Sequence, residues 1–291
     1  MKQATLLLKI GCELGEGCVW DEKRNRLYFI DITGRQLHCY LPEQNELTSM
    51  PVSNLIGTII LYVDGTLLAL ERHSLYHINF DEKTEVFLQR LPFHEELRFN
   101  DGKCDRFGHV WVGTMAINQD EPSSKGAGSL YCLEPHLDNK KGDFKVRQCL
   151  TNYTIPNGLA WSSKDEVFYH IDTPKHVINR FSVTKQGLTN EKRTLLSISE
   201  QEGLPDGMTI DTDGNLWIAM WGGSKVVCYD PRIGEKIDEI YVPEKYVTCV
   251  TFGGSDMHTL YITTAKNGQK EGGNLYYIRL DQKGRAAYRL S

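Results

Sequence analysis

Six polar turns, each followed by a short apolar run, constrain the fold of this chain more than any other feature. They read "DEKRNRLYFID" from Asp21, "YVDGTLLALE" from Tyr62, "DRFGHVWVGT" from Asp105, "SSKDEVFYHID" from Ser162, "DTDGNLWIAM" from Asp211 and "GSDMHTLYIT" from Gly254. A second strand pair trails each of them: "RQLHCYLPEQNE", "HSLYHINFDEKTE", "GSLYCLEP", "HVINRFSV", "SKVVCYDPRIGE" and "GNLYYIRLD". Successive units start about 40 to 57 residues apart, which brackets the repeat of four-stranded propeller blades. Sustained 3.6-residue periodicity is missing between them, and "SISEQEG" at 197–203 reads as a single turn at most. The spacing predicts an all-β chain, a six-bladed β-propeller with four-stranded blades, in one domain over residues 1–291. A sandwich or a pair of barrels would not require such regular spacing.

Composition narrows the function classes. With 291 residues the chain can bury a substantial core as one large β domain. A net charge of −5 without basic runs argues against nucleic acid, because counterion release needs clustered Lys and Arg. The most apolar stretch, "LIGTIILYVDGTLLAL", is broken by Asp64-Gly65 and reads as a hairpin, so no membrane span is expected. "MKQATLLLKIG" lacks the apolar length and cleavage site of a secretory signal, and the cytoplasm is the expected compartment. The eight scattered cysteines contain no C-x-x-C and are expected as buried, reduced thiols.

Within "LPDGMTIDTDGNLW" three aspartates compete for attention. An EF-hand loop needs Gly at its sixth position, but Gly214 stands fourth from Asp211 and strand-like residues follow at once. Asp213-Gly214 between apolar runs signals a hairpin turn. Asp206 belongs to another pattern. Reading back about ten residues from the hairpin turns places Glu16 of "LGEGCVW", Asn100 of "RFNDGKC", Asn157 of "IPNGLAW" and Asp206 of "LPDGMTI" at one station, each with Gly close behind. In a propeller that station gathers at one channel mouth. Two carboxylates and two carboxamides converging there would repel or stay unsatisfied without a cation, and oxygen ligands suit calcium, magnesium or manganese.

At these residues the chain resembles the family of senescence marker protein (regucalcin), gluconolactonase and luciferin-regenerating enzyme, over nearly its whole length. "LGEGCVWD", "RFNDGKCDRFGHVWVGTM", "IPNGLAW", "LPDGMTIDTDGNLWIA" and the late "TFGG" carry the resemblance. It implies a sugar lactonase of bacterial type. One divalent cation would be held by Glu16, Asn157 and Asp206, calcium first, with zinc, manganese or magnesium as alternatives. It further implies substrate contacts from Arg98 and Asn100. Family members often place a glutamate three residues after the Met of G-T-M, where this chain has Asn118, so Asn118 is the third expected substrate contact and the sugar itself is left open.

The expected reaction is metal-dependent hydrolysis of an aldonolactone to its sugar acid, with Asp206 both ligand and general base. The expected partner is a small-molecule lactone. Two alternatives use the same residues: a calcium-binding propeller without turnover, which has no need of Arg98 and Asn100, and a hydrolase of other lactones or organophosphate esters. The sequence contains no G-x-S-x-G elbow and no H-E-x-x-H pair.

Overall fold

The computed structural model describes residues 2–136, 141–184, 187–188 and 192–291. Apart from 3-10 turns at Pro122–Ser124, Thr173–Lys175 and Glu200–Glu202, the regular elements among the described residues are strands. The third of these turns falls in the "SISEQEG" segment.

Four sheets of four or five strands follow one another along the chain. They open with Gly15–Asp21, Ile56–Leu61, Leu97–Cys104 and Pro156–Trp161. The remaining strands form one nine-stranded sheet. Its two groups, opening with Leu204–Ile210 and Tyr246–Gly253, are joined by the pairing of Trp221 with Tyr246. The arrangement is therefore propeller-like, with four separate blades and one larger sheet where six separate blades were expected. The six opening strands pack each against the next, and the last against the first, around a central channel.

The turn aspartates explain how the hairpins form. Asp211 accepts the Asn215 N–H at 2.8 Å and the Trp217 Nε1–H at 3.0 Å. Asp105 does the same for the His109 N–H and the Trp111 Nε1–H, both at 2.9 Å. Each carboxylate fastens its turn and satisfies a buried indole, which burial would otherwise penalise. Asp213-Gly214 is the turn itself, between Leu204–Ile210 and Leu216–Trp221, with Gly214 at φ 89°. Apolar side chains then pack between neighbouring sheets. Ile30 and Leu37 of the first meet Ile59 and Leu67 of the second, all but excluded from solvent.

Every opening strand breaks register with its neighbour near its start. The shifts lie between Glu16 and Val19, Ile56 and Thr58, Phe99 and Gly102, Asn157 and Leu159, Pro205 and Met208, and Val247 and Cys249. Such bulges free residues from the ladder and re-aim their side chains. Glycine permits the tight approach they need. A Cβ on Gly57 would meet the Phe99 carbonyl oxygen at 2.4 Å, and one on Gly207 the Thr248 carbonyl oxygen at 2.8 Å.

The two ends of the chain complete the ring. Thr5–Leu8 pairs with Leu275–Arg279 and supplies the outer strand of the last group. Residues 283–290 cross the channel end remote from the bulges. There Thr212 N donates to Lys283 O at 2.8 Å and Leu290 N to Leu61 O at 2.9 Å. Arg289 Nη2 meets Asp21 Oδ1 at 2.7 Å and Glu22 Oε2 at 2.6 Å. Among the described residues no helix is long and apolar enough to cross a membrane.

Candidate active site

The bulges bring Glu16, Arg98, Asn100, Asn157 and Asp206 to one end of the channel, all buried. Arg98 Nη1 donates to Phe99 O at 2.8 Å and to Asn100 Oδ1 at 2.9 Å. Asn100 Nδ2 in turn donates to Pro156 O at 3.0 Å. Asn157 Nδ2 contacts Asp206 Oδ1 and reaches Thr173 Oγ1 at 3.2 Å, while that hydroxyl donates to Pro205 O at 2.8 Å. Polar side chains thus tie three neighbouring opening strands together. Glu16 accepts its hydrogen bond from Gly17 N at 2.8 Å.

Carboxylates at the far ends of the second strands hold the segments that lead into the ring. Asp31 accepts from Glu13 N and Leu14 N, both at 3.0 Å, just ahead of Glu16. Asp172 accepts from Thr154 N at 3.1 Å and Ile155 N at 3.2 Å, just ahead of Asn157.

One site residue escaped the sequence reading. Asp101 follows Asn100 inside the same bulge, is buried, and lines the channel cavity. Its Oδ1 accepts from Gly102 N at 2.8 Å, and its Oδ2 has no partner. Two consecutive polar residues in "RFNDGKC" are its signal, because a regular strand would place one of them outward. Lys103 lines the same cavity and donates to Met208 O. Asn118 stands apart. It is exposed on the loop after Val110–Ala116, where its Oδ1 accepts from Asp120 N at 3.0 Å. It borders a cavity of about 730 Å³ with Arg72, His94, Glu96 and Glu121, and none of the other expected site residues lines that cavity.

Electrostatics distinguish this end of the channel. Burial first, then the Asp101 carboxylate, pushes Glu16 up to about 8, against the Gly17 N–H and Arg98. Burial, Glu16 and Asp101 hold Asp206 well above the ordinary carboxylate range, against Asn157 and Arg98. Burial also raises Asp101, against Lys103. Arg98 is lowered to about 10 by burial, with Glu16 and Asp206 opposing. Three buried carboxylates thus face the Arg98 guanidinium and the Lys103 ammonium, and one Asp101 oxygen is left without a hydrogen-bond partner. An oxygen-rich, anionic donor set of this kind fits a hard divalent cation. Among the described residues no trio of His, Cys, Asp or Glu forms a metal-binding group. The set that fits includes the Asn157 amide.

The profile of the SMP-30/Gluconolactonase/LRE-like region matches residues 14–266. The chain belongs to this family. A Bacillus subtilis relative provisionally named sugar lactone lactonase YvrE is 37% identical over 282 residues, covering 93% of this chain and 92% of that protein. Regucalcin of Danio rerio is 33% identical over 258 residues, covering 88% and 84% of the two chains. The solved structure of luciferin-regenerating enzyme superposes with a TM-score of 0.89 at 29% identity, covering 99% of each chain. Membership of this family supports lactone hydrolysis in general.

Proposed function

We propose that this chain hydrolyses a sugar lactone, an aldonolactone, to the open sugar acid, with one divalent cation held by Glu16, Asn157 and Asp206. The observation that carries this reading is the buried cluster of carboxylates beside Arg98 and Asn100 at the bulged end of the channel. The family match and the sugar-lactonase name of the Bacillus relative support it. In this reading the nine-stranded sheet counts as two blades, and the whole chain is a single six-bladed propeller.

Calcium is the first choice for the cation, with zinc, manganese and magnesium as alternatives, because the donors are oxygens. When bound, it supplies Lewis acidity that polarises the lactone carbonyl and acidifies water. The chain's residues perform the rest. Asp206 takes a proton from the attacking water as its oxygen bonds to the carbonyl carbon. The ring C–O bond then breaks, and the departing ring oxygen takes up the proton that Asp206 accepted from water, to become a hydroxyl. Asn157 fixes the Asp206 carboxylate through their contact. Arg98 is braced by Phe99 O and Asn100 Oδ1, and offers its remaining N–H groups to the carbonyl oxygen or to ring hydroxyls. Asn118 would meet the part of a substrate that extends toward the rim cavity.

The test is lactone hydrolysis by metal-stripped protein with calcium, zinc, manganese and magnesium restored separately. Glucono-, galactono-, xylono- and arabinonolactone form the panel. Turnover that returns with metal and vanishes in Asp206→Ala supports the reading. Metal binding without turnover above the spontaneous rate would leave a binding propeller in its place.

A further inference from the structure

The rim cavity of about 730 Å³ lies within the size range of small-molecule sites, about 300–1,000 Å³, and the proposed chemistry uses none of its residues except Asn118. It adjoins the strand that carries Arg98 on both sides. Leu97 and Ala116, which line it, are ladder partners, and Arg98 and Met115 are the next pair. Arg72, also in the lining, accepts the Phe99 N–H through its carbonyl oxygen at 2.8 Å. The walls are fixed before any ligand arrives. Ile117 N donates to Glu96 O at 2.8 Å, and Leu97 N to His94 O at 2.9 Å. Gln119 Nε2 donates to Ala116 O at 2.6 Å, and Ser124 Oγ to Gln119 O at 3.1 Å.

The lining has the mixed character that a sugar ring requires. Leu97, Ala116, Ala127 and the exposed Ile117 offer apolar surface to C–H groups. Glu96 and Glu121 offer acceptors to hydroxyls, and Arg72 offers donors. Asn118 Oδ1 is taken by Asp120 N at 3.0 Å, so its Nδ2 is left to donate. Charge disfavours a phosphate or carboxylate in this space. Glu95 is met by Arg90 and by His73 at 2.9 Å, which leaves Glu96 and Glu121 against Arg72 among the fixed charges of the lining.

We propose that the rim cavity is a subsite for a glycosyl unit, and that the preferred substrate is a disaccharide aldonolactone, a 1,5-lactone glycosylated at O4. This inference rests on the lactonase reading of the channel mouth. In such a lactone C4 lies across the ring from the carbonyl carbon. With the carbonyl at Arg98 and Asp206, a substituent at O4 therefore points away from the reacting bond and toward the rim. Glycosylation at O4 also holds the lactone in its six-membered form, because the five-membered form needs that hydroxyl. Water adds to the carbonyl and the ring ester opens as before, while the glycosidic bond is untouched. Asn118 then contacts the glycosyl unit and leaves the lactone ring to Arg98 and Asn100.

The experiment assays the metal-restored full chain on 4-O-glucosyl-gluconolactone and on gluconolactone, with spontaneous hydrolysis subtracted. The expected kcat/KM is about tenfold higher for the disaccharide lactone, mostly through a lower KM, as one or two added hydrogen bonds would give. Ser123 is exposed at the cavity wall, and Ser123→Trp should abolish the preference with gluconolactone turnover unchanged. Glu121→Ala should raise KM for the disaccharide lactone alone. Equal kcat/KM for the two lactones, or a preference that survives Ser123→Trp, would overturn the subsite and leave the lactonase reading standing. A phosphorylated gluconolactone preferred over both would also overturn it. Failure to turn over any lactone would instead overturn the lactonase reading, and the subsite with it.

Discussion

In the proposed reaction, Arg98 is the side chain on which substrate binding turns. Its guanidinium is held by two oxygens of its own strand, so its direction is set before substrate arrives. Arg98→Met is expected to lower kcat/KM by about 10²-fold, the usual loss for one preorganised donor to developing charge. Steady-state kinetics on the best lactone check this, with circular dichroism showing an intact fold. Glu16 yields a pH prediction. Its carboxyl is raised from 4.5 to about 8, so the folded metal-free chain binds that proton more tightly than the unfolded chain. The resulting stability is fully present below pH 4.5 and is lost as pH rises through about 8. Thermal melts of metal-stripped protein should show Tm falling across that window. Glu16→Gln should flatten the slope, and added calcium should restore stability at the alkaline end. An unchanged slope in Glu16→Gln would remove Glu16 as the source.

At the scale of elements, the hairpin carboxylates and the bulges divide the work. Asp211 and Asp105 each hold a turn and a buried indole, remote from the ring. Asp211→Ala leaves the Trp217 N–H without its acceptor, and should cost about 1–3 kcal/mol in urea unfolding with near-normal turnover. The hairpins were legible in the sequence because turn chemistry and strand alternation are local. The bulges were less so. Glu16, Asn157 and Asp206 could be set at one station from their glycines. Asp101 was missed because its signal, two consecutive polar residues, marks an irregular strand without showing that the bulge buries both side chains. Asn118 was expected at the substrate because it stands where members of the resembled family often carry a glutamate, three residues after Met115. Its position on an exposed turn is decided by the loop fold, which the spacing does not encode. The nine-stranded sheet depends on a single pairing of Trp221 with Tyr246, and no periodicity announces that.

The whole molecule is closed by its ends. The N-terminal strand completes the last sheet, and the C-terminal segment crosses the channel floor. Arg289 is the main charged fastening, because it meets the buried Asp21. Arg289→Met would leave that carboxylate with Arg24 at 3.4 Å as its remaining guanidinium, for a loss of about 1–3 kcal/mol. Denaturant unfolding should show it as a lower midpoint, while a floor that bears no load would leave the midpoint unmoved. This closure keeps the opening strands in one ring, and the ring sets Asp206 against Asn157 and within electrostatic reach of Glu16. The most direct test of the proposed metal centre is a crystal soaked in manganese and measured for anomalous scattering, with lactone turnover assayed on the same preparation. One strong peak is expected within ligand distance of Glu16, Asn157 and Asp206, and its loss together with turnover in Asp206→Ala. A peak elsewhere, or turnover that persists with no cation at that position, would contradict it.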